Sequence, residues 1–410
     1  MSQPHSQTAT PPEIAGDATL TLLRNASVFA PEPLGVVDVL IAGDRIAAIA
    51  ADLGAPPAGW GVAVVDLSGA RLLPGLIDGH VHLSGGGGES GPETKVPPLR
   101  LRQLTLAGVT TVVGLLGTDG TTRHPRELLA ATRAMQRLGM TAKMWTGAYP
   151  VPTPTLTGSV QGDIVHVEQV IGAGEIAISD HRSAQPTFDE IARLAAECHV
   201  GGLLAGKAGV LHLHLGDGAR GLELVRRLLA ETEIPARVLQ PTHCNRNKRL
   251  WAEAMALGPR GVAIDVTAFP PDDDDDALPA EVAAAQWFDA GLPGHKLTIS
   301  SDGGGCLPVF DGDGCMLRMD VGSSATLLAT LRAWEAMGRP LAQLLPSMTS
   351  AVADALRLAG KGRVRVGSDA DLLVLDDAGG VRHLWARGKA MVVDGLARVQ
   401  GPLDQGGDRA

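Results

Sequence analysis

The stretch "GLIDGHVHLSGGGGE", residues 75–89, places two histidines one residue apart inside an otherwise apolar segment. Successive side chains of a β-strand point to opposite faces, so His80 and His82 share one face of a predicted strand. The glycines that follow allow a neighbouring backbone to approach closely. Two imidazoles side by side at the end of a strand predict a metal site at this point of the fold.

Apolar strands and amphipathic helices alternate on the C-terminal side of this stretch. "GVTTVVGLL", residues 108–116, is followed by "HPRELLAATRAMQRLG", whose apolar residues recur at helical spacing. Strands that alternate with helices form a parallel sheet. About eight such units make a (β/α)₈ barrel of roughly 250 residues. We therefore predict an α/β fold with a TIM-like (β/α)₈ barrel over residues 74–358.

Both ends of the chain have a sequence pattern that differs from the strand–helix alternation of the centre. Residues 18–50 read as short strands broken by turn residues, and "GRVRVGSDADLLVLD" and "VRHLWARGKAMVVDG" near the C-terminus have the same pattern. We predict that residues 18–73 and 359–410 together build one small β-sandwich domain. Residues 1–17 are polar and proline-containing, which predicts a disordered tail.

Composition excludes several classes of partner. The chain has 410 residues, with 45% hydrophobic residues, 20% charged residues and a net charge of −10, which is ordinary for a globular protein. An acidic chain is poorly suited to bind nucleic acid or an anionic membrane, because both require a basic surface. The sequence contains no run of about eighteen apolar residues, so it predicts no transmembrane helix. The first residues lack the apolar core of a signal peptide, so we expect a cytoplasmic location.

Residues that commonly bind metals lie at or near the ends of several predicted strands. Active sites of (β/α)₈ barrels lie where the strands end. A lone buried histidine is more often a hydrogen-bonded core residue, an interpretation that applies to His212. Five strand ends that all carry ligand-type residues indicate a site for two divalent cations, with zinc favoured by imidazole and carboxylate ligands. These residues are His80, His82, Glu175, His214, His243 and Asp302.

Several motifs resemble those of a known family. "PGLIDGHVHL" resembles the signature of the amidohydrolase superfamily, and within it the chain resembles the isoaspartyl dipeptidases (metallo-type β-aspartyl peptidases) over nearly its full length. His-x-His alone marks only the superfamily, whereas "GGGGE" and "TGAY" are specific to the dipeptidases. The matching stretches are "HVHLSGGGGESGP", "AGVTTVVGLLGTDGTTRHPRELL", "TGAYPVPTPTLTGSV", "ISDHRSA", "GGLLAGKAGV", "PTHCNRN" and "SSDGGG".

The resemblance implies a catalytic centre with two zinc ions per chain. Asp302 would accept a proton from a hydroxide-forming water that bridges the metals and then pass it to the leaving amine. Tyr149, the only tyrosine in the chain, would polarise the scissile carbonyl. The implied ligands are His80 and His82 with Asp302 for one ion, and His214 and His243 for the other.

The resemblance also implies the substrate contacts. Glu89 stands where the family contacts the free amino group of the substrate and counts among the catalytic groups. Arg182 and Arg246 match arginines that hold carboxylates, which suits bidentate recognition. Gly87 and Thr118 would contribute mainly backbone groups.

The chain departs from the family at two positions. In "VIGAGEIAISDHR", Glu175 stands where the family bridges its metals with a carboxylated lysine, and the stretch is one residue longer. The extra residue predicts a strand bulge that brings the shorter glutamate forward to bridge the metals, with a single-metal site as the alternative. Cys306 stands where the family has a substrate-contacting serine. A thiol is a weaker hydrogen-bond donor, so specificity at that end of the pocket stays open.

These features favour a zinc-dependent hydrolase of β-aspartyl dipeptides. The alternatives are an amidohydrolase that acts on an N-acyl amino acid or a cyclic amide, and a non-catalytic scaffold that has lost its metals. The complete ligand set argues against the scaffold. The resemblance implies a homo-oligomer, with an octamer as the assembly expected by analogy.

Overall fold

A computed structural model of the chain describes residues 19–269, 276–310 and 316–401. The predicted tail, residues 1–17, lies outside these ranges. In chain order the strands are β1 (Leu20–Phe29), β2 (Pro33–Ala42), β3 (Arg45–Ala50), β4 (Ala63–Asp66), β5 (Arg71–Pro74), β6 (Leu76–Val81), β7 (Val109–Gly114), β8 (Thr141–Thr146), β9 (Val170–Ile178), β10 (Val210–Leu215), β11 (Leu239–Thr242), β12 (Ile264–Thr267), β13 (Leu297–Ser300), β14 (Cys306–Phe310), β15 (Met316–Val321), β16 (Leu372–Leu375), β17 (Val381–Ala386), β18 (Lys389–Val393) and β19 (Leu396–Ala397).

Helices follow most of the central strands. Thr187 shows why one of them starts where it does: its hydroxyl and the Glu190 carboxylate form a reciprocal capping box, and Gly206 ends the helix in a left-handed conformation. No helix of the described residues is long and apolar enough to cross a membrane. The helices are α1 (Leu101–Thr105), α2 (Pro125–Leu138), α3 (Val160–His166), α4 (Phe188–Ala205), α5 (Glu223–Glu231), α6 (Lys248–Met255), α7 (Ala280–Asp289), α8 (Ala325–Ala336), α9 (Leu341–Leu344) and α10 (Ser350–Ala355).

The strands from β6 to β13 form a TIM-like barrel. β6 to β11 pair in parallel in chain order, and β12 pairs in parallel with β13. β12 packs beside β11, and β13 packs beside β6, where Val81 bridges to Gly303. Every residue of β9 and β10 is buried, because both faces of a parallel sheet are covered. The predicted α/β barrel is confirmed.

The two ends of the chain meet in one nine-stranded sheet, in the order β19-β18-β17-β16-β5-β1-β2-β3, with β4 beside β1. Its strands precede and follow those of the barrel in the chain, so the predicted β-domain built by both termini is confirmed. The domain bounds given above stay a prediction. This sheet has its own apolar core, which includes Leu23, Val28, Ile41, Leu72 and Trp385.

Candidate metal centre and active site

The predicted metal ligands converge at one end of the barrel. Each of them is at most 6% exposed, so none is a surface histidine or carboxylate. They come from the C-terminal halves of five strands or from the residues directly after them: His80 and His82 from β6, Glu175 from β9, His214 from β10, His243 from β11 and Asp302 from β13.

Glu175 lies between two pairs of histidines. Its Oε1 is 2.6 Å from His214 Nδ1 and 2.9 Å from His243 Nε2. Its Oε2 is 3.5 Å from His80 Nε2 and 4.0 Å from His82 Nε2. Each carboxylate oxygen therefore faces a different pair of imidazoles, which is the arrangement that a ligand shared by two cations requires.

The backbone reaches this position through an irregularity in β9. Leu211 and Leu213 of β10 pair with Ala173 and Ile176 of β9, so β9 carries one additional residue over this interval. The bulge predicted from the longer sequence is thus present at Glu175. Gly174 is required beside it, because an added Cβ would lie 2.8 Å from the Cβ of His212.

Asp302 completes the cluster on the side of the first histidine pair. Its Oδ1 is 3.0 Å from His82 Nε2 and 3.4 Å from His80 Nε2. Asp302 Oδ1 and His80 Nε2 are both buried without a well-formed hydrogen bond. Buried polar atoms normally find a partner, so these two atoms are suited to share a cation.

The donor set fits divalent metal ions. Three overlapping groups bring one ligand atom per residue to within 4.8 Å of one another: His80 with His82 and Glu175, His80 with His243 and Asp302, and Glu175 with His214 and His243. Imidazole nitrogens and carboxylate oxygens are ligands that zinc accepts. The residues present therefore fit the two-cation site.

Two of these residues adopt an unusual backbone. His243 has φ of 58° and Asp302 has φ of 55°, in the left-handed region that non-glycine residues rarely occupy. Such conformations cost on the order of 1–3 kcal/mol and cluster at functional sites. At both positions the unusual backbone directs a side chain into the cluster from just beyond a strand end.

The charges of the cluster support one another. Burial lowers the pKa of His80, but the Glu175 and Asp302 carboxylates outweigh it and raise this pKa to about 9. Burial likewise opposes ionisation of both carboxyls, yet the neighbouring histidines hold the pKa of Glu175 and that of Asp302 well below the ordinary range. Burial lowers the pKa of His243 to about 3. The cluster thus holds two ionised carboxylates, as a cation site requires.

Tyr149 stands directly over the second histidine pair. Its hydroxyl is 2.7 Å from His214 Nδ1, and its side chain is buried. Burial, with the Glu175 carboxylate adding to it, raises the pKa of Tyr149 well above its ordinary value. The phenol is therefore neutral and can act as a hydrogen-bond donor at the floor of a cavity that opens above the cluster.

Glu89 is the centre of a second polar group on the cavity wall. Its carboxylate accepts from the Cys306 thiol at 2.9 Å and from the Thr118 hydroxyl at 2.9 Å, and Arg182 Nη1 is 3.5 Å away. Burial, and then the Glu89 charge, raise the pKa of the Cys306 thiol, which keeps it protonated. The structure thus brings four of the predicted substrate-binding residues into contact.

Arg246 and Gly87 lie on the same cavity. Arg246 Nη1 is 3.9 Å from Asp217 Oδ2, and its guanidinium carbon is 6.0 Å from the centre of the Phe269 ring. Its Nε is buried and has no hydrogen-bond partner among the described residues. Gly87 has φ of 78°, and an added Cβ would lie 2.5 Å from the Thr94 carbonyl oxygen, so only glycine fits there.

A cavity of about 1010 Å³ opens above the cluster, and its lining includes His82, Glu175, His214 and Asp302 together with Tyr149 and the candidate substrate-binding residues. Glu175 and Asp302 form part of its floor, and Glu89, Arg182 and Arg246 form part of its wall. Its size accommodates a small organic molecule or a dipeptide.

The sequence model of the amidohydrolase family matches residues 71–391 of the chain. The chain belongs to the amidohydrolase family. The match covers the whole barrel and part of the terminal sheet, which agrees with the superfamily signature identified from "PGLIDGHVHL".

Two solved structures show what the chain is similar to. The β-aspartyl dipeptidase from the thermophilic keratin-degrading Fervidobacterium islandicum AW-1, in complex with a β-Asp-Leu dipeptide, is 38% identical with a TM-score of 0.90, and the match covers 94% of this chain and 99% of that one. The predicted resemblance to β-aspartyl dipeptidases is confirmed. The dihydropyrimidinase from Brevibacillus agri NCHU1002 is 18% identical with a TM-score of 0.64, over 93% and 96% of the two chains, and shares the fold.

Among curated proteins the chain is similar to a dihydroorotase from Staphylococcus epidermidis. The two sequences are 23% identical over 256 residues, which is 61% of this chain and 48% of the dihydroorotase. The chain thus spans about half the length of the curated relatives it matches.

This amidohydrolase has a site residue that was not predicted from its sequence. Asp180 Oδ2 is 2.8 Å from His214 Nε2, the ring nitrogen opposite the one that faces Glu175. Asp180 also accepts from Arg182 Nε at 3.1 Å and from Arg182 Nη2 at 2.8 Å. It therefore holds a candidate ligand and a candidate substrate-binding arginine at once. The available signal was its place in "ISDHR", two residues before Arg182 at a strand end.

His212, which the sequence pattern left as a core histidine, contacts one of the candidate ligands. It is buried, and its Nε2 is 2.9 Å from His80 Nδ1. Burial, followed by the nearby charge of His80, lowers the pKa of His212 well below its ordinary value. His212 is therefore a neutral imidazole under the cluster and contacts a ligand candidate from behind.

Proposed function

We propose that this amidohydrolase is a zinc-dependent dipeptidase that hydrolyses β-aspartyl (isoaspartyl) dipeptides. The observation that carries the proposal is the position of Glu175, between two histidine pairs at the floor of a cavity with Glu89, Arg182 and Arg246 on its wall. The likeness to a β-aspartyl dipeptidase solved with β-Asp-Leu supports the choice of substrate.

The charges of the cavity complement those of such a dipeptide. A β-aspartyl dipeptide carries a free amino group, the free α-carboxylate of its aspartate and the carboxylate of its leaving residue. Glu89 supplies an anion for the amino group, and Arg182 and Arg246 supply guanidinium groups for the carboxylates. An α-linked dipeptide has the same charges at different distances from the scissile bond, so the choice of the β-linkage rests on the likeness to the β-aspartyl dipeptidase.

Two zinc ions would be held by His80, His82 and Asp302 on one side and by His214 and His243 on the other, with Glu175 shared between them. When bound, they would supply Lewis-acid polarisation of the carbonyl and an activated water at neutral pH. Glutamate supplies two oxygens at the bridging position, as the carboxylated lysine that the resemblance implies for the family would.

Asp302 and Tyr149 are assigned the proton and charge steps. Asp302 accepts the proton that the attacking water loses on the carboxylate oxygen that does not face the cation, and delivers it to the leaving amine as the C–N bond breaks. The neutral Tyr149 hydroxyl donates a hydrogen bond to the carbonyl oxygen as negative charge develops there. The products are aspartate and the free leaving amino acid.

A substrate panel with the purified full-length protein tests the proposal. It contains β-Asp-Leu, its α-linked isomer, an N-acyl amino acid and a cyclic amide of the dihydroorotate type. We expect hydrolysis of β-Asp-Leu, loss of the activity on zinc removal, and its return when zinc is restored. Cleavage of the cyclic amide or the N-acyl amino acid in preference to β-Asp-Leu would replace the proposed substrate.

A pair of variants separates the proposed site from the rest of the molecule. Asp302→Asn is expected to abolish turnover, because the amide cannot accept the proton. Asp289→Asn is the matched control, since Asp289 is exposed at the end of α7 and pairs with Arg339 at 2.6 Å. Equal activity of the two variants would contradict the assignment of Asp302. The cytoplasmic location and the homo-oligomer that the resemblance implies stay predictions.

A further inference from the structure

A line of hydrogen bonds crosses the barrel beneath the metal centre. His80 Nδ1 is 2.9 Å from His212 Nε2, and His212 Nδ1 is 3.2 Å from Gln240 Oε1. Gln240 Nε2 donates to Thr298 Oγ1 at 3.3 Å, and Thr298 Oγ1 donates to Asp265 Oδ1 at 2.6 Å. All five residues are at most 4% exposed, so water does not compete for these contacts.

The carboxylate at the far end sets the direction of every bond in this line. Asp265 takes the single hydroxyl hydrogen of Thr298, so the Thr298 oxygen accepts from the amide of Gln240. The Gln240 oxygen then faces His212, which must carry its hydrogen on Nδ1 and accept at Nε2. His80 consequently keeps its hydrogen on Nδ1, and its Nε2 is left to the cation.

Further contacts hold His212 and Asp265 in place. The His212 ring stacks on Trp145, with ring centres 5.0 Å apart and planes inclined by 4°. Trp145 Nε1 in turn donates to the Gly79 carbonyl oxygen at 3.1 Å. At the other end, Asp265 Oδ2 also accepts from the hydroxyls of Thr242 at 2.7 Å and Ser300 at 2.6 Å. Neither His212 nor Asp265 is therefore free to turn away.

We propose that His212 is the positioning residue of the metal ligand His80, and that Gln240, Thr298 and Asp265 determine the tautomer of His212. Ligand histidines commonly donate their second N–H to a carboxylate or a carbonyl, which fixes the ring and its tautomer. Here an imidazole nitrogen takes that place, and the carboxylate acts through three intervening groups. The inference rests on the two-metal centre of the proposed function.

Two substitutions of His212 separate hydrogen bonding from packing. His212→Gln keeps a side-chain oxygen that can accept from His80 at the position of Nε2. His212→Phe keeps a ring on Trp145 but offers no acceptor. The zinc affinity of each full-length protein is measured by competition with a chelator. We expect His212→Phe to weaken the binding of one of the two ions about 10- to 100-fold, and His212→Gln to stay close to the unchanged protein.

Two further readouts do not depend on activity. Thermal unfolding of the metal-free proteins is expected to be similar for both variants, while the stabilisation by zinc is smaller for His212→Phe alone. With cobalt(II) in place of zinc, the visible absorption of His212→Phe should change, because the His80 ring is no longer fixed. Equal affinity losses in the two variants would assign His212 a packing role and overturn the inference.

Substitutions of Gln240 provide a second test that does not depend on whether a His212 variant folds. Gln240→Met removes both the acceptor that faces His212 and the donor to Thr298 without contact to His80, whereas Gln240→Glu keeps the acceptor for His212 and loses only the donor. We expect Gln240→Met to weaken zinc binding and Gln240→Glu to recover it. Equal affinities for these two variants would contradict the line of hydrogen bonds.

Failure of this inference differs from failure of the metal centre itself. If the protein without substitutions binds no zinc, the metal centre is overturned, and the role of His212 with it. If the protein without substitutions binds two zinc ions and His212→Phe binds them with the same affinity, only the role of His212 is overturned.

Discussion

Replacement of Glu175 by glutamine removes the one side chain that faces both histidine pairs. Glutamine has nearly the same shape, but it carries no charge and only one of its two terminal atoms accepts. Because Oε1 faces His214 and His243 and Oε2 faces His80 and His82, the amide nitrogen must point at one pair. We therefore expect both metals to bind more weakly and one of them to be lost first.

The magnitude follows from the burial of Glu175. The side chain is 1% exposed, so water cannot replace its charge beside a bound cation. Removal of one partner of a buried charge pair costs about 3–5 kcal/mol. Since about 1.4 kcal/mol corresponds to a factor of ten, zinc affinity should fall about 10²- to 10⁴-fold. Hydrolysis of β-Asp-Leu at limiting zinc should fall with it.

The assay is the zinc content of the purified protein, followed by chelator competition. Glu231→Gln is the matched control, because Glu231 is 46% exposed on α5 and pairs with Arg227 one helical turn away at 2.8 Å. It should keep both ions. If Glu175→Gln also keeps two ions at unchanged affinity, Glu175 is not the bridging ligand and the two-metal reasoning fails.

Three further predictions concern the substrate and the pH. Tyr149→Phe should lower kcat about 10²- to 10³-fold while zinc content stays constant, and a loss of zinc would make Tyr149 structural. Arg182→Met and Arg246→Met should each lower kcat/KM for β-Asp-Leu at least about tenfold without loss of metal, because a charge-assisted bond is removed; unchanged kinetics would point to another substrate class. His80 has a pKa of about 9, and zinc must displace its proton in order to bind. Zinc affinity should therefore rise about tenfold per pH unit up to about that pH and then level off. Chelator competition that shows no such rise would contradict ligation by His80.

The fold and the ligand types were predictable because they depend on local pattern. Apolar strands alternate with amphipathic helices, and this period predicts a parallel barrel whichever residues fill it. His80 and His82 share a strand face because side chains alternate along a strand. The extra residue before Glu175 predicted a bulge, and the pairing of β9 with β10 contains one. These properties belong to short segments, so the sequence alone determines them.

The partners of these residues were decided by the tertiary structure. His212 looked like an ordinary core histidine, because nothing near it in the chain reveals that it meets His80 from 132 positions away. Asp180 likewise gains its place only when β10 brings His214 beside it. The order of the terminal sheet, with β16 between β5 and β17, also joins distant segments. A periodic pattern shows which face of a strand is buried, whereas barrel closure and strand register decide which distant side chains meet there.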